Sequence, residues 1–249
     1  MQLSAHSHYP ETADIETSSE DYARRFSGEV GAWFLKVQEE AVLNMLVQYP
    51  FARVLDVGGG HGQLTGPLIQ KGYRVCVLGS AEVCKARIKG FLDRDQCEFV
   101  TGNILDIPFP DRAFDVVISL RLLPHVRSWR LLIKELTRVS KQAVIVDYPS
   151  KQSLNLIAPF LFRIKKSLEG NTRPYTLFRE RELLEVFKLY GFTLAERYPE
   201  FFLPMVLHRI VNSKGFSLLS ESVCRFIGLT RFLGSPVILK LVRKGEGHK

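Results

Sequence analysis

The chain has 249 residues, 34 Lys and Arg against 26 Asp and Glu for a formal net charge of +8, and 46% hydrophobic residues. That is globular composition, which excludes a disordered or fibrous protein, and the length suits one large domain or one domain with insertions. The charge is uneven: residues 1–120 carry 11 basic and 16 acidic side chains, residues 121–249 carry 23 and 10. A basic half suits nucleic acid, an anionic membrane surface or an acidic substrate, and charge alone does not choose among them. Met1 to Asp21 lacks the basic-then-apolar order of a secretory signal, and no apolar run reaches the ~18 residues of a membrane span. Cys76, Cys84, Cys97 and Cys224 show neither C-x-x-C nor Cys/His ligand spacing. A cytosolic protein with reduced cysteines and no metal site is therefore expected.

In chain order, residues 1–49 read as a tail and covering helices, with Phe34, Val37, Ala41 and Met45 on one face of a helix over 31–47. Short apolar runs at 53–57, 74–78, 98–100, 114–120 and 143–147 read as buried parallel strands. Helical patterns at 63–71 and 81–91, and the stripe Trp129, Leu132, Ile133, Leu136 and Val139, supply crossovers. Beyond Pro149 come a basic amphipathic helix from about Pro159 to Gly170, a helix over 179–190, and a helical pattern at Phe216, Leu219, Val223 and Phe226. Strands at 192–198 and 236–243 bracket that last pattern. The expectation is an α/β, Rossmann-like, doubly wound, seven-stranded and mostly parallel sheet over residues 50–249. Insertions at about 151–178 and 205–234 are expected to cap the substrate.

The strongest local signal is Val54-Leu55-Asp56-Val57-Gly58-Gly59-Gly60-His61-Gly62, a buried strand entering a glycine turn. Glycines let the backbone press against a ligand. A phosphate-cradling loop is excluded because no Lys-Ser or Lys-Thr pair follows, and the G-x-G-x-x-G/A dinucleotide pattern meets Gln63 at its third position. What remains is Asp-x-Gly-x-Gly-x-Gly, and here the chain resembles the class I S-adenosylmethionine (SAM)-dependent methyltransferases. Gly102-Asn103-Ile104, the run from Asp106 to Asp111, Phe114 to Ser119, Leu123-Pro124-His125-Val126 and Glu135 to Val139 extend the resemblance over about residues 50–150, toward the subgroup containing quinone-type small-molecule methyltransferases.

The resemblance implies SAM as cofactor, held by Asp56, Gly58, Gly60, His61, Gly62, Gly79, Ser80, Asn103, Ile104 and Leu120. Asn103 would meet the adenine edge, Ile104 its face, and Asp56 the methionine amino group. The family's ribose-binding acid at the end of the second strand is absent, since Gly79-Ser80 stands there. His125 and Tyr148, at the carboxyl edge of the fourth and fifth strands, are the catalytic candidates. Arg173, Tyr175, His208 and Arg209 are the candidates for substrate binding, the two arginines as a clamp for an anionic group. Ser119-Leu120-Arg121-Leu122 stands where nucleobase amine methyltransferases carry an Asn/Asp-Pro-Pro-aromatic motif, so nucleic acid is disfavoured. The two basic amphipathic insertions favour a small lipophilic or aromatic acceptor and leave contact with an anionic membrane surface open. The alternatives are an RNA methyltransferase and a non-catalytic protein of this fold.

Overall fold

A computed structural model of the chain describes residues 9–154 and 175–245. Two short helices, α1 (Ala13–Thr17) and α2 (Glu20–Arg24), precede the long α3 (Gly28–Leu46). The first strands are β1 (Arg53–Val57), β2 (Arg74–Gly79), β3 (Glu98–Thr101), β4 (Phe114–Ser119) and β5 (Ser140–Tyr148). The helices α4 (Thr65–Gln70), α5 (Lys89–Leu92) and α6 (Trp129–Val139) lie between them. After these come α7 (Glu180–Leu189), β6 (Phe192–Pro199), α8 (Met205–Val211), α9 (Lys214–Phe226), α10 (Leu229–Leu233) and β7 (Val237–Arg243). The expected helix near Pro159 lies outside the described residues.

All seven strands join one sheet in the order β3-β2-β1-β4-β5-β7-β6. The first five run parallel, while β7 pairs antiparallel with both β5 and β6. Each β1 residue alternates face: Leu55 and Val57 join α6 and α7 side chains on one side, and Val54 joins Ala41, Val42 and Met45 of α3 on the other. The strand order reverses between β1 and β4, and in such sheets the crevice outside the carboxyl ends at that reversal is the ligand site.

One expected helix takes another form. Residues Glu82–Ile88 form a 3-10 segment and only Lys89–Leu92 is α-helical. The tighter winding turns Cys84 back onto the glycine loop, where its carbonyl oxygen faces Gly60. Between β3 and β4 the chain crosses without a helix, and Arg138 of α6 holds that crossing by donating to the carbonyls of Ile107 and Phe109, each at 2.8 Å.

Candidate active site at the carboxyl ends of the central strands

Asp56 and Val57 close β1, and the chain then turns through Gly58 (φ 75°) and Gly62 (φ 74°) around a single 3-10 turn, Gly59–His61. Both positive φ values lie in the left-handed region, which explains glycine at these positions. The Asp56 side chain is fully buried, and neither carboxylate oxygen has a hydrogen-bond partner among the described residues. Burial, opposed in part by the Arg121 charge, pushes its carboxyl up to about 7. His61 accepts the Gln63 N–H on Nδ1 at 3.2 Å, which leaves the proton on Nε2 while the ring is neutral, and that buried Nε2 is unpartnered. Burial, then Arg121 and Arg87, hold its pKa well below the usual histidine value, so the ring is neutral at pH 7.

Arg121 was not foreseen from the sequence. It follows β4 in the left-handed region (φ 57°), its N–H donates to Asp147 Oδ1 at 2.6 Å, and Nε and Nη2 are buried without partners. Strained backbone beside buried, unpaired polar atoms is characteristic of ligand sites. Its guanidinium lies 4.9 Å from the Phe26 ring centroid, and Arg209 lies 5.7 Å from the same ring. Behind it, Gln38 of α3 donates to Asp147 Oδ2 (3.2 Å) and Glu200 Oε1 (3.1 Å). Glu200 is raised to about 8 by burial and by the Asp147 charge, and Asp147 to about 6 by burial.

The β2 end of the same cleft is arranged differently. Asp14 of α1 is fully buried and accepts from Ser80 N–H (2.6 Å) and Ser80 Oγ (2.5 Å). A Cβ at position 79 would lie 2.7 Å from Cys84 Cβ, so the acidic residue usual in this family does not fit there while Cys84 is seated. Asn103 turns its side-chain oxygen onto Leu105 N–H (2.9 Å), and Ile104 and Leu120 are buried in the two cores.

The structure brings His125 and Tyr175 together: Thr176 N–H donates to the Pro124 carbonyl at 2.9 Å, and the two rings lie 5.5 Å apart. Two other candidates are corrected. Tyr148 is fully buried on the core face of β5 and donates to Glu180 Oε2 at 2.6 Å, with its pKa raised chiefly by burial, so it is a structural phenol rather than a catalytic one. His208 is fully buried between Ser217 Oγ (2.9 Å) and Glu221 Oε1 (3.0 Å), while Glu221 also accepts from Phe202 and Leu203 N–H. This set has the residue types of a serine-histidine-acid triad, but its members are buried and already paired with one another and with Phe202 and Leu203 N–H, unlike the unpartnered Asp56 oxygens. It clamps α8 to α9. Arg173 lies outside the described residues.

A family model described as a methyltransferase domain matches residues 55–146, the stretch that holds Asp56, the glycine loop and Arg121. Residues 55–146 are thus similar to a methyltransferase domain, in line with the resemblance carried by the glycine loop. The chain is 35% identical over 115 residues to 24-methylenesterol C-methyltransferase 2 of Oryza sativa subsp. japonica, a match covering 43% of this chain and 31% of that protein. It is also 28% identical over 113 residues to the chloroplastic 2-methyl-6-phytyl-1,4-hydroquinone methyltransferase of Arabidopsis thaliana, covering 45% of this chain and 33% of that protein. The chain thus spans about a third of the length of these relatives. Among solved structures, magnesium protoporphyrin IX methyltransferase of Synechocystis PCC 6803 with bound S-adenosylhomocysteine shares the fold, with a TM-score of 0.64 at 19% identity over 90% of this chain and 94% of that one. Among the described residues, no helix is long and apolar enough to cross a membrane.

Proposed function

We propose that the protein is a SAM-dependent methyltransferase acting on a small lipophilic or aromatic acceptor. The observation that carries this reading is the set of buried, unpartnered groups on the glycine loop and at the β4 end: an acceptor pair on Asp56, a donor on His61 and donors on Arg121. Leaving such atoms unpaired costs about 1–3 kcal/mol each, and more when charged, so the site is built to receive polar atoms of both signs. The amino-acid end of the cofactor has that chemistry, with an ammonium for Asp56 and a carboxylate for Arg121 and His61. Gly58, Gly60 and Gly62 would approach the cofactor by backbone, and Ser80, Asn103, Ile104 and Leu120 would line its nucleoside side.

When bound, the cofactor supplies an electrophilic sulfonium methyl. The chain then has to align the acceptor and exclude water, and alignment alone is worth on the order of 7–11 kcal/mol. His125, half-buried against Tyr175 just past β4, is placed to take a proton from an acceptor that must lose one. Arg209, which shares the Phe26 ring with Arg121, is placed for an anionic group on the acceptor.

The lipophilic character of the acceptor rests on two supports. The sterol, phytyl hydroquinone and porphyrin in the names of three similar proteins are each built on a large apolar skeleton. In addition, α8 to α10 present Ile210, Leu219, Val223, Phe226, Ile227 and Phe232 to solvent, with Phe226 90% exposed. Lys214, Arg225 and Arg231 lie on the same helices, and the one acid there, Glu221, is buried. An apolar face with a basic rim suits peripheral contact with an anionic membrane surface, where a lipophilic acceptor would be met. The four free cysteines support a reducing compartment, the cytosol.

Incubating the protein with methyl-labelled SAM and a fractionated extract tests the reading: label is expected in the lipid-soluble fraction, and label in RNA would overturn it. One observation favours a second reading, a non-catalytic protein of this fold, because α1 sits where the nucleoside would bind. Calorimetry with S-adenosylhomocysteine decides between them, since the non-catalytic reading expects no heat of binding.

A further inference from the structure

We infer that α1 is an internal occupant of the nucleoside half of the cleft, its Asp14 carboxylate seated on the Ser80 donors at the tip of β2, so that cofactor entry requires α1 to leave. This rests on the proposed cofactor and deepens it.

Three observations place α1 in the cleft rather than beside it. Asp14 Oδ2 and Oδ1 accept from Ser80 N–H and Ser80 Oγ at 2.6 and 2.5 Å, with Cys84 Sγ a further 3.5 Å contact to Oδ2, and the residue has no exposed surface. The open sides of the glycines are covered by the same helix and the residue after it. A Cβ on Gly58 would lie 3.5 Å from Asp14 Cβ, and one on Gly60 would lie 2.5 Å from Ser18 Oγ. Ala13 is buried in the core cluster that contains Val57, Leu78, Ile104 and Leu122, on the elements that should meet the adenosine. The glycine loop and the β2 tip are the surfaces through which such a sheet holds a nucleoside, and here the chain itself lies on both.

The helix is also light enough to leave. It has five residues, no side-chain N-cap bond and no acid-to-base pairing within itself, and isolated helices under ~12–15 residues do not stand alone. Its segment is fastened at separate points: Glu11 accepts from Arg127 and Ser128 N–H (2.9 and 3.1 Å) at the start of α6, Asp14 sits on Ser80, and exposed Glu20 pairs with Arg87 at 2.7 Å. Asp14 is the only one of these three acids that is fully buried, so it is the contact a nucleoside must replace.

A different role for Asp14, as a substitute for the missing ribose-binding acid, makes the opposite prediction. A ribose ligand is needed for binding, whereas an occupant opposes it. A protein whose binding-competent state is rarely populated binds with affinity reduced by that fraction, and loosening the occupant restores it. Titration calorimetry of the 249-residue chain with S-adenosylhomocysteine should therefore show Asp14→Ala binding roughly tenfold or more tightly than wild type, with Asp14→Asn in between, since a charge-assisted contact to Ser80 is lost. In wild-type protein, hydrogen exchange of residues 9–19 should become faster when S-adenosylhomocysteine is added. Weaker binding by Asp14→Ala, or slower or unchanged exchange of that segment in a ligand-bound protein, overturns the inference and leaves the cofactor assignment standing. Absence of binding by wild type and both variants overturns the cofactor assignment itself, and this inference with it.

Discussion

At the β1 and β4 ends of the cleft, Asp56, His61 and Arg121 bury polar atoms that meet no partner, whereas at the β2 end of the same cleft Ser80 is satisfied by Asp14. The first region carries stored electrostatic cost, visible in the raised Asp56 carboxyl and the lowered His61. The second region has discharged that cost internally. One cleft thus holds a half prepared for an outside ligand and a half closed by its own chain. On the proposed reading the contrast separates residues that would bind the cofactor from residues that would compete with it.

The largest expected effect is on pH dependence. Asp56, Asp147 and Glu200 have folded pKa values of about 7, 6 and 8, above their unfolded values, so the native state binds more protons across that range and stability falls as pH rises from about 4 to 8. For Asp56 alone the fall is about 4 kcal/mol. Urea midpoints measured from pH 4 to 8 should show it, Asp56→Asn should flatten it, and a fall unchanged in that variant would remove Asp56 from the unsatisfied half. Next in size is Gly60→Val. Its Cβ would press on the Cys84 carbonyl and Ser18 Oγ, lowering stability by about 2–3 kcal/mol in denaturant titration and abolishing S-adenosylhomocysteine binding. Tyr148→Phe should cost about 1 kcal/mol through the lost Glu180 bond and leave labelled-methyl transfer unchanged, and a loss of transfer would return Tyr148 to the reacting centre. The smallest effect on stability, within about 0.5 kcal/mol, belongs to the exposed Phe226→Ser and Phe232→Ser. Their combination should nonetheless weaken sedimentation with phosphatidylglycerol vesicles. Equal sedimentation of variant and wild type would detach the apolar helices from membrane contact.

The parts legible in the sequence were those written locally. β1 with its glycine turn announces itself because apolar strand residues and the loop glycines are adjacent, and the crossover pattern from 53 to 148 fixes the parallel half of the sheet. Tyr148 was readable in principle: alternation puts Val144, Val146 and Tyr148 on one face, all in the core cluster, and Asp147 on the other, toward Gln38 and Arg121. His208 was not, because its burial depends on Ser217 and Glu221, in a different helix from its own. Asp14 was least legible of all. Its partner lies 66 residues away, and a five-residue helix gives no periodicity, so the acid read only as one charge in a tail.

Pro199 at the end of β6 and Val237 at the start of β7 are paired across the antiparallel ladder. The chain therefore leaves the sheet and returns to it on the same rung, and everything from Glu200 to Pro236, including the apolar α8 to α10, is an excursion whose ends lie about one strand spacing apart. Closing a long loop whose ends already meet is a small and slowly growing entropic cost. Lengthening, shortening or exchanging these helices would leave every strand pair intact, so the segment proposed to meet the acceptor can vary while the sheet that carries the glycine loop keeps its register.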